Sequence, residues 1–453
     1  MSGSDPSIFE SADNKPGCRC EALIRHKVSL FQADKVLLLH LPRTGGTTLS
    51  HRLFKVFAPG EILTDFAELK RDAFGHVLKR ELERFIRMLP PDAADHCRIF
   101  SGHLPFGFHH TTPGRFRYVS FLRNPVDRAI SGFLYGYAGL FPDDKEWLKF
   151  ALHLSISAGA NPGFDNPATR ILTGSEVLVP RSPEVTTWDL PPVVDADRDV
   201  AIEALGRDFC FVGITERFED SCRLIFDLLG KDYWPSGERL NETRLNLTRN
   251  DLPATTLRLM ERHLKHDIAL YAAACAQFNV WAERYGCAPA EPYRRLTQDA
   301  GPISSGDHAH IVSADHAFGD DPEGAWLSWP FQVKKSGEFI GYESMTRRGC
   351  PAVGVQLAVG YPTSFLVEAS NDGFRHDLRR VHQIDVPDDA SLKVELPDHG
   401  VEAFAWRIMR IGDGAAEPLG VAALRFDNRP LPEKALDQIR TKLRNVKARF
   451  RCL

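Results

Sequence analysis

The sequence predicts an α/β protein: a P-loop-like parallel sheet flanked by helices, followed by a C-terminal β-sandwich. Three observations predict it. Apolar runs of strand length at residues 35–41, 97–101, 116–122 and 209–214 alternate with helical apolar spacing, the pattern of a parallel sheet with right-handed crossovers. A polar cluster follows each run directly, where ligands bind in such sheets. Past an irregular Pro/Gly/Ser/Asp stretch at 288–307, the texture changes to short strand candidates separated by turn clusters, as in a sandwich.

At 453 residues the chain exceeds one ordinary domain. The reading is an N-terminal arm at 1–30, an α/β domain at 31–287, a linker at 288–320, a sandwich at 321–430 and a basic amphipathic helix at 431–453. A net charge of −4 gives no general pull toward nucleic acid, so any anion site is local. The nine cysteines are odd in number and dispersed, which suits free thiols in a reducing cytoplasm. Cys18 and Cys20 lack the second pair a zinc site needs, and no metal is expected. Residues 1–14 carry no signal-peptide core, and no apolar run has the length of a membrane span. The expectation is a cytoplasmic protein. Asn241 and Asn246 begin glycosylation sequons, taken as chance without a secretory signal.

The first element is Lys35-Val-Leu-Leu-Leu-His-Leu-Pro-Arg-Thr-Gly-Gly-Thr-Thr-Leu49. An apolar strand ends at Pro42, a small polar loop follows, and Leu49, Leu53, Phe54 and Phe57 resume at helical spacing. Strand, loop and helix aim backbone N–H groups and a helix N-terminus at an anion. The Walker A pattern G-x-x-x-x-G-K-[ST] is absent.

Residues 67–89 read as one charged helix with Phe74, Leu78, Leu82, Phe85, Ile86 and Leu89 on a face. Its basic residues either face an acidic acceptor or form a solvated surface with Glu partners. Strand 97–101 leads to the loop Gly102-His-Leu-Pro-Phe-Gly-Phe-His-His110, and strand 116–122 leads to Arg123. Asn124 is an N-cap and Pro125 takes the first helical position. Strand 209–214 leads through Thr215-Glu-Arg217 to a helix carrying Phe218, Cys222, Ile225 and Leu229. A helix at 257–278 packs the core through Leu264, Ile268, Tyr271 and Cys275. Sandwich strands are expected at 326–333, 339–345, 353–359, 364–369, 381–386, 392–396, 403–411 and 421–426. In the tail, Leu436, Ile439, Leu443, Val446 and Phe450 recur at helical spacing. That helix has three open uses: a polyanion or membrane surface, docking onto the protein, or self-association into a homo-oligomer.

Leu41-Pro-Arg-Thr-Gly-Gly-Thr-Thr48 resembles the 5′-phosphosulfate loop of sulfotransferases, the branch holding the heparan sulfate 2-O- and 6-O-sulfotransferases and bacterial relatives. Those enzymes use 3′-phosphoadenosine-5′-phosphosulfate (PAPS) as donor. Animal members sit in the Golgi behind a membrane anchor, so a chain without one resembles the soluble bacterial type. Arg123-Asn-Pro-Val-Asp-Arg-Ala-Ile-Ser131 resembles the family's 3′-phosphate motif, whose first Arg and last Ser grip the phosphate; Arg128 supports it. Gly102-His103 looks like the Gly-His step carrying the catalytic base, with His40, His109 and His110 as competitors. The resemblance covers about residues 35–285. It implies a cofactor-binding set of Arg43, Thr44, Gly45, Gly46, Thr47, Thr48, Arg123 and Ser131, and Arg43 and His103 as catalytic. Arg43 stands where the family usually carries Lys; it neutralises the phosphosulfate but is a poor proton donor. Asn166 and Arg170 lie in another family-like segment and are candidate cleft residues. Residues 365–374 with 405–410 resemble galactose-binding-like, discoidin or carbohydrate-binding sandwiches.

The expected function is sulfuryl transfer from PAPS to a hydroxyl of a carbohydrate or polysaccharide, with no nucleic acid partner. The rivals are a P-loop kinase or NTPase, and a non-catalytic glycan-binding scaffold.

Overall fold

The computed structural model describes residues 35–64, 66, 68–72, 75–90, 96–110, 116–137, 145–157, 161–174, 190–235, 247–295, 301–304, 317–318, 326–327, 339–358, 363–371, 377–387, 391–411 and 420–427. The arm at 1–30, the helix at 431–453, Cys18, Cys20, Asn241 and Asn246 lie outside these residues.

The first unit is a five-stranded sheet. Its strands are β1 (Lys35–Leu39), β2 (Ile62–Leu63), β3 (Ile99–Gly102), β4 (Phe116–Leu122) and β5 (Phe209–Ile214), in the order β2-β3-β1-β4-β5. Every pairing is parallel. Val36 to Leu39 of the central β1 and all of the edge strand β5 are buried, as expected of a parallel sheet covered on both faces. After β1 the chain builds β2 and β3 on one side, then crosses to build β4 and β5 on the other. The switch in direction therefore falls at β1, and the crevice beyond its carboxyl end is where such sheets bind ligands. Helix α1 (Gly46–Phe54) starts at that crevice, and α2 (Lys79–Met88), α3 (Pro125–Tyr137), α4 (Lys145–Ser157) and α5 (Pro167–Leu172) follow along the chain. Next come α6 (Asp195–Arg207), α7 (Phe218–Leu228), α8 (Ala254–His263) and α9 (Lys265–Tyr285). Phe100, Tyr118, Phe209, Phe211 and Phe278 anchor one contiguous core between sheet and helices.

The second unit has two antiparallel sheets. One holds β6 (Gly301–Ser304), β8 (Phe339–Arg348), β10 (Thr363–Ser370), β11 (Arg379–Val386) and β13 (Ala403–Ile411), in the order β11-β10-β13-β8-β6. The other holds β7 (Trp326–Leu327), β9 (Ala352–Leu357), β12 (Ser391–Glu395) and β14 (Gly420–Arg425), in the order β12-β9-β14-β7. Val353, Val355 and Leu357 from one sheet pack with Phe365, Val367 and Ile408 from the other in a separate core. That is a β-sandwich.

Three local expectations change. Residues 67–89 are not one helix: Arg71 bridges Val77, the Leu78 N–H reaches the Lys70 carbonyl, and the turn between them uses a left-handed Gly75. The helix starts only at Lys79. The helix expected at 257–278 is two helices meeting at Leu264, whose φ of −104° and ψ of 15° are not helical. The linker at 288–320 contains an edge strand, Gly301–Ser304, paired antiparallel with β8. Strand β2 and helices α4, α5 and α6 are not legible in the sequence pattern, and a two-residue strand such as β2 carries no period to read.

Candidate functional site

The loop from His40 to Gly45 is held in an unusual backbone shape. Arg43 has φ of 68° and Gly45 of 89°, so the chain enters the left-handed region twice within three residues. Backbone of that kind turns successive N–H groups into one concavity. Side chains larger than hydrogen do not fit the next two positions. A Cβ on Gly45 would lie 2.8 Å from the Phe218 ring, and one on Gly46 would lie 2.1 Å from His40 Cδ2. The loop is fixed from inside by the buried Thr44 hydroxyl, which donates to the Leu41 carbonyl at 2.8 Å.

Three of the expected anion-binding residues converge on this loop. Arg43 Nε donates to Ser131 Oγ at 3.1 Å, and Arg123 Nη1 donates to the Arg43 carbonyl at 3.3 Å. Ser131 arrives because α3 starts directly after Arg123. Asn124 caps it, accepting from the Val126 and Asp127 N–H groups at 3.1 and 3.3 Å. Tyr135, one turn beyond Ser131, lies under the Arg43 guanidinium at 4.5 Å. Burial, then the neighbouring Arg123, lowers the pKa of Arg43, and an arginine stays charged through such a shift. The resemblance assigns Arg43 to the 5′ group and Ser131 to the 3′-phosphate, whereas the geometry joins their side chains.

Of the remaining loop residues, Thr47 is exposed on the first turn of α1, while Thr48 is buried. Thr215-Glu216-Arg217 is a clasp. Thr215 Oγ1 lies 2.8 Å from the Thr44 carbonyl and 3.1 Å from that of Leu122. Glu216 accepts from the Asn124 N–H and the Tyr271 hydroxyl, both at 2.9 Å. Strand ends β1, β4 and β5 are thereby locked together.

His103 follows β3 and faces the same crevice. Its Nδ1 is 2.7 Å from the His40 carbonyl. A carbonyl only accepts, so Nδ1 carries the proton and Nε2 the lone pair. Its ring stacks on His40 at 4.4 Å and meets His76 edge-on at 5.5 Å. His76 is delivered by the turn ahead of α2, where the Val77 N–H donates to the His103 carbonyl at 2.8 Å. Burial lowers the pKa of His103, which the bond to His40 partly offsets. His40 falls to about 3 through burial, then through His103 and Arg43, which disqualifies it as a base near neutrality.

His109 and His110 lie elsewhere. His109 Nδ1 is 3.0 Å from the Tyr118 hydroxyl, and its Nε2 is 3.7 Å from Asp208, which precedes β5. That is the amino-terminal end of the strands. Asn166 and Arg170 are buried in contacts of their own. Asn166 Oδ1 accepts from the His266 and Asp267 N–H groups at the start of α9, and Arg170 pairs with Asp165 at 2.6 Å. Arg128 is buried, donating to the Gly163 carbonyl at 2.9 Å. These three are structural because each is satisfied inside the fold.

Sequence reading missed Tyr135 and His76. Tyr135 carried a signal, four residues after Ser131 on one helical face; His76 carried none, because its turn was read as helix.

Comparison with known proteins finds no matching protein-family model and no matching curated protein. Among solved structures, the chain is similar to the family 32 carbohydrate-binding module of C. perfringens NanJ in complex with galactose. The identity is 15%, covering 28% of this chain and 90% of that one, with a TM-score of 0.22. It is also similar to chitosan-binding module 1 from a Paenibacillus sp. IK-5 chitosanase/glucanase, at 14% identity, 27% and 91% coverage and a TM-score of 0.24. A third likeness is CpGH89CBM32-5 from Clostridium perfringens, in complex with GalNAc-beta-1,3-galactose, at 14% identity, 28% and 92% coverage and a TM-score of 0.24. Similarity this slight carries no functional argument.

Proposed function

We propose that the protein is a PAPS-dependent sulfotransferase that moves a sulfuryl group onto a hydroxyl of a carbohydrate, with His103 as general base. The observation that carries the reading is the convergence of Arg43, Arg123, Ser131 and a tautomer-fixed His103 at the carboxyl ends of β1, β3 and β4. On this reading the loop is P-loop-like in shape but not in chemistry. Backbone N–H groups of residues 44–48 and the start of α1 hold the 5′-phosphosulfate, and Arg123 and Ser131 hold the 3′-phosphate.

In the reaction, His103 Nε2 takes the acceptor hydroxyl proton as that oxygen forms its bond to sulfur. The bond from sulfur to the bridging phosphate oxygen breaks, and 3′-phosphoadenosine-5′-phosphate leaves with the electron pair. Arg43 stabilises the charge growing on that oxygen. No proton need reach it, because the departing phosphate is a weak base. Positioning and fixed charge supply most of the rate, as in phosphoryl transfer. The lowered pKa of His103 keeps Nε2 unprotonated at neutral pH. The carbohydrate acceptor follows from the resemblance and from the sandwich on the same chain.

Binding of 3′-phosphoadenosine-5′-phosphate in competition with ATP tests the nucleotide, and transfer of labelled sulfate from PAPS to a polysaccharide panel tests the activity. Tighter binding of the bisphosphate, with transfer abolished in His103→Ala, is the expected result. Preference for ATP would sink the proposal in favour of a kinase or NTPase; neither binding nor transfer would favour a scaffold.

A further inference from the structure

His109, His110 and Asp208 form a second polar cluster, at the opposite strand ends from the crevice. The sequence separates them: the two histidines lie in a short 3-10 turn at Phe108–His110, and Asp208 joins α6 to β5. Their potential ligand atoms all lie within 4.8 Å of one another, without any cysteine or further carboxylate. We infer that these three side chains form a transition-metal site, a staple of the Zn²⁺ class that ties the β3–β4 connection to the α6–β5 junction. This inference is independent of the sulfotransferase reading.

Three observations support it. The first is His109 Nε2, a buried nitrogen that has no hydrogen-bond partner and stands 3.7 Å from Asp208 Oδ1. That is too long for a hydrogen bond, but it is within the ~4 Å that two ligands on one ion at ~2 Å bond length can span. The second is what holds the other ring nitrogen. His109 Nδ1 is 3.0 Å from the Tyr118 hydroxyl, which also accepts from the Gly107 N–H at 3.1 Å. A proton on Nδ1, donated to that hydroxyl, leaves the Nε2 lone pair free for a metal; ligating histidines are oriented by this kind of outer contact. The third is Asp208, 8% exposed and gripped by Arg207 Nε at 3.1 Å and Nη2 at 2.9 Å. Ligating carboxylates are commonly held by such outer bonds.

His110, exposed and with its ring 3.8 Å from that of His109, supplies the third ligand. Two imidazoles and one carboxylate suit Zn²⁺, Co²⁺ or Ni²⁺ rather than Ca²⁺ or Mg²⁺, which prefer all-oxygen shells.

The test uses full-length protein stripped with chelator and titrated with Co²⁺. One equivalent should bind, with visible ligand-field bands and no thiolate charge-transfer band, and Zn²⁺ should displace it. His110→Ala, at an exposed position, and Asp208→Asn should each lower Co²⁺ affinity at least tenfold. Zn²⁺ should raise the melting midpoint of the parent protein but not of His110→Ala. Failure of the parent protein to bind one equivalent, a thiolate band, or a loss below tenfold in His110→Ala overturns the proposal.

Discussion

The His103 ring is set by one bond: Nδ1 donates to the His40 carbonyl, so Nε2 points its lone pair away from the stack. If it is the base, kcat/KM falls as pH drops through a pKa below the usual histidine value of ~6.5, because protonation removes the acceptor. A pH–rate profile with no acid limb anywhere below pH ~6.5 would remove His103 from the role. His103→Ala should cost about 10²–10⁴ in kcat. Arg43 is bound to its neighbours in ways a lysine does not reproduce, through Nε on Ser131 and the guanidinium face on Tyr135. Arg43→Lys should therefore retain charge but lose position, with about a tenfold loss of kcat. Arg43→Ala should lose about 10²–10³. Equal activity in all three proteins would show that Arg43 stands outside the reaction. The identities of Arg43, Arg123 and Ser131 were readable from their motifs, but their contact was not. Ser131 reaches Arg43 only because α3 folds back beside the loop, and no local spacing encodes that.

At the scale of elements, the junction of β1 and α1 depends on two missing side chains. Gly46 makes room for the His40 ring, and Gly45 both takes positive φ and clears Phe218. Gly46→Ala should destabilise the protein by about 1–3 kcal/mol through overpacking and weaken nucleotide binding by displacing His40. Urea denaturation with a binding isotherm checks both, and an unchanged midpoint would mean that the ring yields freely. In the sandwich, Glu368 on β10 faces Arg407 on β13, buried and 2.8 Å apart. Arg407→Ala leaves that buried carboxylate only the exposed Arg380, 3.6 Å from its other oxygen, and should cost up to about 3–5 kcal/mol, read from the same curves. The strand pattern of the sandwich was legible because alternation is a local property. Residues 67–89 misled for the complementary reason: apolar residues at helical intervals were placed instead by the turn at Gly75 and the contact of Val77 with His103.

For the whole molecule, two separate cores carry the load, one around the parallel sheet and one between the sandwich sheets. Acid should weaken the first. His40 and His76 are each lowered to about 3, mainly by burial and then by His103. Unfolded, both rings would take protons near pH 6.5. Their stabilisation is therefore fully present above that value and is lost as pH falls toward 3. Denaturation midpoints at pH 7 and 5 check this: stability should fall, and His76→Phe should flatten the slope. No helix among the described residues is long and apolar enough to cross a membrane.

The sequence alone determined the main strands of the parallel sheet, the sandwich texture and the loop that ends in Gly45 and Gly46, since periodicity and special backbone needs are written locally. Tertiary structure decided which side chains meet. The stacking of His40 on His103, the delivery of His76, the clasp at Thr215 and the approach of His109 and His110 to Asp208 all join residues distant in the chain, because a parallel sheet gathers loops from separate crossovers at the two ends of its strands.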